Sequence, residues 1–274
     1  MIRFSIITPS YNYGRFIGDC AASVAAQGDV RLEHLIFDAG STDNTLEVLA
    51  DFPRAEVFSE PDRGMCDGIN KGFDRCQGEW VMWLNADDRL RPSALSAVLD
   101  FAEAHPEADV IYGCWDFIDE NGAFIRTMTL FPYHRTMMLY LGCYIGSTAT
   151  FFRKRTVIDS GERLSLDFRY VMDGEFFARL ATKGLRFEYL PRILADFRLH
   201  GNNLSIRNYD GNTAEECLRL QKQYGETRAY RRAYGHSIFK DENLNALVDS
   251  ILYMFHRCLK PVLKLAYRHQ LKRD

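Results

Sequence analysis

The sequence predicts an α/β fold, a mostly parallel sheet flanked by helices, followed by a helical C-terminal extension. Three observations carry this. Over the first hundred residues, short apolar runs alternate with segments of helical pattern, as expected when parallel strands are joined by crossover helices. Polar residues collect where the apolar runs end, at Thr8 to Asn12, at Asp38 and at Asn85 to Asp88, and an open sheet binds its ligands at those strand ends. The stretch from Leu244 to Ala266 repeats apolar residues at helical spacing.

The elements follow in order. Phe4–Thr8 reads as a strand and Phe16–Ala26 as a helix. Leu32–Phe37 is a second strand ending at Asp38, after which Ser41 or Thr42 is expected to cap a helix running to about Phe52. Glu56–Ser59 is a third strand, Met65–Cys76 a helix and Trp80–Leu84 a fourth strand; Pro92 then stands near the start of a helix to about His105. Beyond residue 109 the pattern is less regular. Val110–Tyr112 and Trp115–Ile118 read as strands, and Asn121-Gly122 as a hairpin turn. Asp173–Lys183 is a helix closed by Gly184, and Phe187–Leu190 and Ala195–Leu199 are two last strands.

Composition narrows the class. With 274 residues, 47% hydrophobic and 26% charged, the chain is long enough for one large domain with an appendage. A net charge of −3 gives no reason to expect nucleic acid as a partner. The seven cysteines form no CxxC pair, which suggests neither a zinc site nor a disulfide framework and fits a reducing cytosol. Met1 leads straight into the first strand without the basic and apolar regions of a signal peptide. A cytoplasmic location is therefore expected, extending to the inner face of the cell membrane if the tail docks there.

Asn85-Ala86-Asp87-Asp88 sets two adjacent carboxylates directly after the fourth strand. Hard divalent cations take oxygen ligands and often keep water or substrate phosphates in their remaining positions, so metal plus diphosphate is the first chemistry suggested. Asp173 begins a stripe with 176, 177 and 180, which puts its carboxylate on the buried side but at the open N-terminal end of its helix. Its bland alternative is a helix cap. In the tail, Arg257, Lys260, Lys264 and Arg268 stand opposite the apolar stripe, which suits an anionic membrane surface; the stripe suits equally well packing on the catalytic domain or on a second subunit of a homo-oligomer.

Taken together, Ser5 to Asn12, Asp38 to Thr45, Glu60 to Gly64 with Asp67 and Asn70 to Gly72, Asn85 to Asp88, Met172 to Glu175, and Arg198 to His200 resemble the ordered signatures of family 2 glycosyltransferases with the inverting GT-A fold. The resemblance implies a GT-A domain over residues 1–205, with a nucleotide-donor half at 1–108 and an acceptor half at 109–205, and a helical extension at 206–274. It implies a nucleotide-sugar donor, most naturally a UDP-sugar, a saccharide or lipid-linked acceptor, and a divalent metal, Mn²⁺ or Mg²⁺. In such enzymes Pro9 and Tyr11 would pack on the base and Asp38 would hydrogen-bond it, while Arg63 and Lys71 would attend the phosphates. Asp87 matches the second acid of the family's DxD motif, whose first acid is here Asn85, an amide that reaches a ribose hydroxyl or metal-bound water without bringing charge. Asp88 and His200 would complete the metal ligands with Asp87. Asp173 would be the general base that removes the acceptor hydroxyl's proton. Two alternatives stand beside this reading: a sugar-nucleotide pyrophosphorylase, which needs a Gly-rich phosphate loop that Thr8 to Gly14 does not supply, and a non-catalytic sugar-nucleotide binding protein, which has no use for Asp173.

Overall fold

The computed structural model describes residues 2–28, 30–135, 137–138, 143–201, 203, 212–220, 223–224, 259–265, 267–268 and 271. Its centre is a nine-stranded sheet. Three parallel strands, β1 (Phe4–Ser10), β2 (Leu32–Asp38) and β3 (Ala55–Ser59), are joined by helices α1 (Ile17–Ala25) and α2 (Thr45–Leu49). Helix α3 (Met65–Arg75) crosses to β4 (Trp80–Trp83), which pairs with β1 on the side away from β2. At Gly72 of α3 an added Cβ would come within 2.5 Å of Ile7 Cγ2, so only glycine lets this helix lie so close to β1.

After β4 come a two-residue strand β5 (Arg89–Leu90), helix α4 (Ala94–Ala104), β6 (Val110–Ile118), β7 (Phe124–Met128) and β8 (Thr150–Arg153). Helix α5 (Met172–Thr182) and strand β9 (Phe187–Arg198) follow. The spatial order is β3-β2-β1-β4-β8-β6-β9-β5, with β7 hanging on β6. The β4–β8, β6–β8, β5–β9 and β6–β7 pairs are antiparallel, while β6 and β9 run parallel. The expected parallel sheet is thus the first half, β1 to β4, and the second half is mixed.

The core lies under β4. Trp83 is fully buried, stacks on Phe152 at 5.2 Å and on Phe177 at 6.3 Å, and meets Phe73 and Phe176 edge-on. Burying each such ring contributes about 1.5–3 kcal/mol, and the cluster fixes α3 and α5 on the same strand whose end carries Asn85 to Asp88.

The described residues near the C-terminus pack on this body. The nominal boundary near residue 205, and most of the apolar stripe from Leu244 to Phe255, lie outside the described residues. In the described helix, over residues 259–265, Leu259 and Leu263 pack against the core together with Tyr267 and Leu271, which continue the four-residue spacing. Lys260 lies 5.7 Å from the Tyr144 ring and Lys264 Nζ lies 3.5 Å from Met128 Sδ, so these two cations turn partly toward the protein while Val262 is 61% exposed. This is the packing alternative of the sequence reading. Among the described residues no helix is long and apolar enough to cross a membrane.

Candidate active site

Loops at the C-terminal ends of β1 and β2 are bound to one another. Asn12, at a left-handed φ of 58°, accepts from Thr42 N at 2.8 Å through Oδ1 and donates its own N–H to Ser41 Oγ at 2.8 Å. Gly14 N donates to Asp43 Oδ2 at 3.0 Å, and a Cβ at Gly14 would fall 2.0 Å from Asn44 Oδ1. Asp38 is buried and engaged by its own loop: its Oδ2 accepts from Gly40 N, Ser41 N and Ser59 Oγ, and its Oδ1 from Ser41 Oγ. Ser41 and Thr42 therefore serve the loop rather than capping the helix, and α2 begins only at Thr45.

The strand end at β4 is built around a buried arginine. Arg198, 1% exposed, donates from Nε to Asp87 O at 2.9 Å, from one terminal nitrogen to Glu120 O at 3.1 Å and from the other to Asp19 Oδ2 at 2.7 Å. Its backbone N–H donates to Asp88 Oδ1 at 3.0 Å. Alternation along a strand suggests that Arg198 and His200 face the donor together. The chain leaves the sheet after Arg198, however, so the arginine lies beneath the Asp87 backbone while His200 meets its carboxylate.

Asp87 Oδ2 accepts from Asn203 Nδ2 at 3.2 Å and lies 2.8 Å from His200 Nε2, and no bond within the described residues engages Oδ1. Asp88 is engaged at both oxygens, its Oδ2 accepting from Thr148 Oγ1 at 2.9 Å and Asn85 Nδ2 at 3.3 Å. Burial and the neighbouring Asp87 charge raise the Asp88 pKa well above the usual carboxylate range. The side-chain oxygen of Asn85 is buried without a partner.

A cavity of about 110 Å³ joins Asn85 and Asp87 to Asp173, with Tyr13, Tyr170 and Asn203 among its walls. Asp173 lies in the first turn of α5, where Oδ1 accepts from Gly174 N at 2.7 Å. Burial raises its pKa. The preceding loop is held from outside by helix α6 (Asn212–Leu220): the Glu216 carboxylate accepts the backbone N–H groups of Arg169, Tyr170 and Val171 at 2.9, 2.8 and 3.1 Å.

The other expected residues stand apart from this cavity. Pro9 is buried at the end of β1 and Tyr11 is 55% exposed. Arg63 and Lys71 converge on Asp67, the arginine at 2.8 Å and the lysine at 3.8 Å, and Lys71 also meets Glu60 at 3.0 Å. At Gly68 of α3 an added Cβ would lie 3.1 Å from Asp62 Oδ2, 3.7 Å from Phe37 and 3.8 Å from Pro9, so the helix lies close against Pro9 and Phe37. Tyr13, Tyr170, Asn203 and Glu216 carry no sequence signal of a site role. Tyr13 is found only by tracing the loop, because the neighbouring Tyr11 draws the eye but points less inward. Tyr133 stacks on Phe187 and Tyr144 on Phe131 at 4.6 Å each, Tyr144 within the core and Tyr133 packed against it.

The family described as "Glycosyl transferase family 2" matches residues 5–161, more than half of the chain, and the chain belongs to that family. It is 28% identical over 257 residues to a chondroitin synthase of Pasteurella multocida, a match covering 92% of this chain and 26% of that protein. It is 29% identical over 205 residues to a PGL/p-HBAD biosynthesis glycosyltransferase of Mycobacterium tuberculosis, covering 72% of this chain and 77% of that protein. The chain spans only 26% and 30% of the lengths of the two chondroitin synthases it matches. Among solved structures, S. aureus TarS 1-349 in complex with UDP-GlcNAc superposes with a TM-score of 0.67 at 18% identity, over 81% of this chain and 65% of that one. At that identity the likeness shows the fold.

Proposed function

We propose that the protein transfers a sugar from a nucleoside-diphosphate donor, a UDP-sugar, to a hydroxyl of a saccharide or lipid-linked acceptor in building a bacterial surface polysaccharide, with inversion at the anomeric carbon. The single observation that carries this is the cavity shared by Asp87 and Asp173, which sets a carboxylate suited to the diphosphate beside one suited to the acceptor. The names of the relatives support a polysaccharide or glycolipid product, and the UDP-GlcNAc and UDP complexes of TarS support the donor class.

In this reading the base of the donor lies against Pro9, Tyr11 and Asp38. The phosphates pass Arg63 and Lys71, whose contact with Asp67 keeps them in place until a stronger anion arrives. The acceptor oxygen attacks the anomeric carbon, the bond from that carbon to the diphosphate breaks, and the hydroxyl proton passes to Asp173. A carboxylate whose pKa is raised by burial is a better base than an exposed one, so the environment of Asp173 suits the role.

A divalent metal belongs to this reading, although among the described residues no group of three or more His, Cys, Asp or Glu could hold one unaided. Asp87, with Oδ1 unengaged, the orphaned amide oxygen of Asn85 and His200 would hold it, with the remaining positions left to diphosphate and water. When bound, Mn²⁺ or Mg²⁺ would offset the charge of the departing diphosphate as a Lewis acid. Asp88, engaged at both oxygens, supports the loop from behind.

Release of UDP from UDP-sugars, measured with and without chelator and repeated for Asp87→Ala, tests the reading. Turnover that falls to background in both cases supports it; a chelated enzyme and an Asp87→Ala variant that both work at full rate would remove Asp87 from the donor site.

A further inference from the structure

We propose that the groove between strand β7 and the C-terminal helix docks on the anionic face of a phospholipid bilayer. The groove, about 900 Å³, runs between Phe124, Arg126 and Met128 on one wall and Lys264, Leu265 and Arg268 on the other. Among the described residues strand β7 pairs with β6, and its other edge lines this surface.

Two properties coincide here. Nine large apolar side chains are exposed among the described residues, and most are scattered, but Phe124 at 58%, Ile125 at 46% and Leu265 at 72% all line this groove, with Val262 at 61% one turn along the same helix. Among the described residues the cations have no acidic partners. No Asp or Glu lines the groove, and Arg126, Lys264 and Arg268 form no ion pair with any described residue; Arg126 lies 3.9 Å over the Phe117 ring and Lys264 rests against Met128. Burial lowers the Lys264 pKa, and the nearby Arg126 charge lowers it further. Positive charge is thus crowded on one surface of a chain whose net charge is −3, and it would be relieved by an external anion.

The apolar groups decide which anion. A soluble anionic polysaccharide would satisfy the cations, but Ile125, Val262 and Leu265 offer a sugar neither a ring to stack on nor a hydrogen bond. A second copy of the chain would bring the same cations face to face. Anionic headgroups beside an acyl layer satisfy both sets, the cations at the phosphates and the aliphatic tips just beneath them. The surface goes beyond the transfer reaction and does not depend on it, since none of these residues belongs to the cavity of Asp87 and Asp173.

Sedimentation of the full chain with phosphatidylcholine vesicles, with and without phosphatidylglycerol, tests the proposal. The wild type should sediment with the anionic vesicles, much less with pure phosphatidylcholine, and should be released at high ionic strength. Two variants probe the two properties. Removing two cations in R126Q/R268Q should lower partitioning roughly 25-fold at low salt, taking about fivefold per cation near the surface; F124S/L265N should lower it also, with both variants keeping wild-type UDP-sugar hydrolysis. Should R126Q lose its contact with Phe117 and unfold, R268Q alone carries the test at roughly fivefold. The proposal is overturned if the wild type ignores anionic vesicles, if both variants bind them as well as wild type does, if dextran sulfate binds the groove in preference to vesicles, or if the same substitutions instead dissociate a dimer.

Discussion

Replacing Arg198 with methionine is the sharpest perturbation of the site's foundations. Methionine keeps the apolar stem but removes all three side-chain bonds. Two of these end on the carbonyls of Asp87 and Glu120, at 2.9 and 3.1 Å, and a buried carbonyl left without a donor costs about 1–3 kcal/mol. The third partner, Asp19, has a side chain 58% exposed, so water replaces the lost guanidinium there and the ion pair itself adds little. Asp87 is buried and Glu120 exposed, so the expected loss is about 1–3 kcal/mol, carried mainly by the Asp87 carbonyl. Urea unfolding should show this loss. UDP-sugar turnover should fall as well, even far below the midpoint of unfolding, because the Asp87 backbone loses its anchor. An R198M protein within about 0.5 kcal/mol of wild type, the usual scatter of neutral substitutions, and fully active would refute Arg198 as the support of Asp87.

Other expectations follow from single contacts. Glu216→Ala strips the acceptor from three backbone N–H groups at 169–171 and should destabilise by about 1–3 kcal/mol and slow transfer, with Glu216→Gln intermediate, both read by thermal unfolding and initial rates. His34 is buried, lies 2.9 Å from Thr8 Oγ1, and has its pKa lowered by burial from 6.5 to about 4. Because the unfolded chain takes up this proton first, stability should be full above pH 6.5 and fall by up to about 3 kcal/mol as pH drops toward 4; His34→Gln should flatten that slope in urea titrations at several pH values. Truncation after Lys260 removes Leu263, Tyr267 and Leu271 from the core, so it should lower the unfolding midpoint, and an unchanged midpoint would show that these contacts do not hold the helix.

Much of this was legible in the sequence because period and punctuation agree in the first half. Apolar runs before polar strand ends placed β1 to β4 within a residue or two, and Gly184, at a φ of 82°, closed α5 where expected. What failed did so for tertiary reasons. β6 and β9 each read as two strands, because Gly113 and Pro191 break the apolar pattern; in the fold Gly113 admits the Leu194 side chain, where a Cβ would meet it at 2.5 Å, and the strands absorb the irregularity as register shifts about Cys114. Strand β5 has two residues, too short for any period to show, and β8 follows a stretch of Gly, Ser and Thr without the turn signals that bracket β4. In the site, Asp87 and Asp173 were visible as carboxylates at a strand end and a helix start. Glu216 was not, since the three N–H groups that it receives lie more than forty residues earlier and nothing in a helical EE pair announces them.

The central claim is that Asp173 takes the proton from the acceptor within the cavity it shares with Asp87. Asp173→Asn tests it most directly, because the amide is nearly isosteric and its oxygen can still accept from Gly174 N. With UDP-sugar binding and thermal stability held as controls, the transfer rate should drop roughly 10²-fold or more, the scale of a missing general base. In the wild type the acid limb of the rate profile should lie above the ordinary carboxylate range, with activity lost as pH falls through it, because burial raises the pKa of Asp173. An Asp173→Asn enzyme that binds donor normally and transfers at close to the native rate would contradict the account.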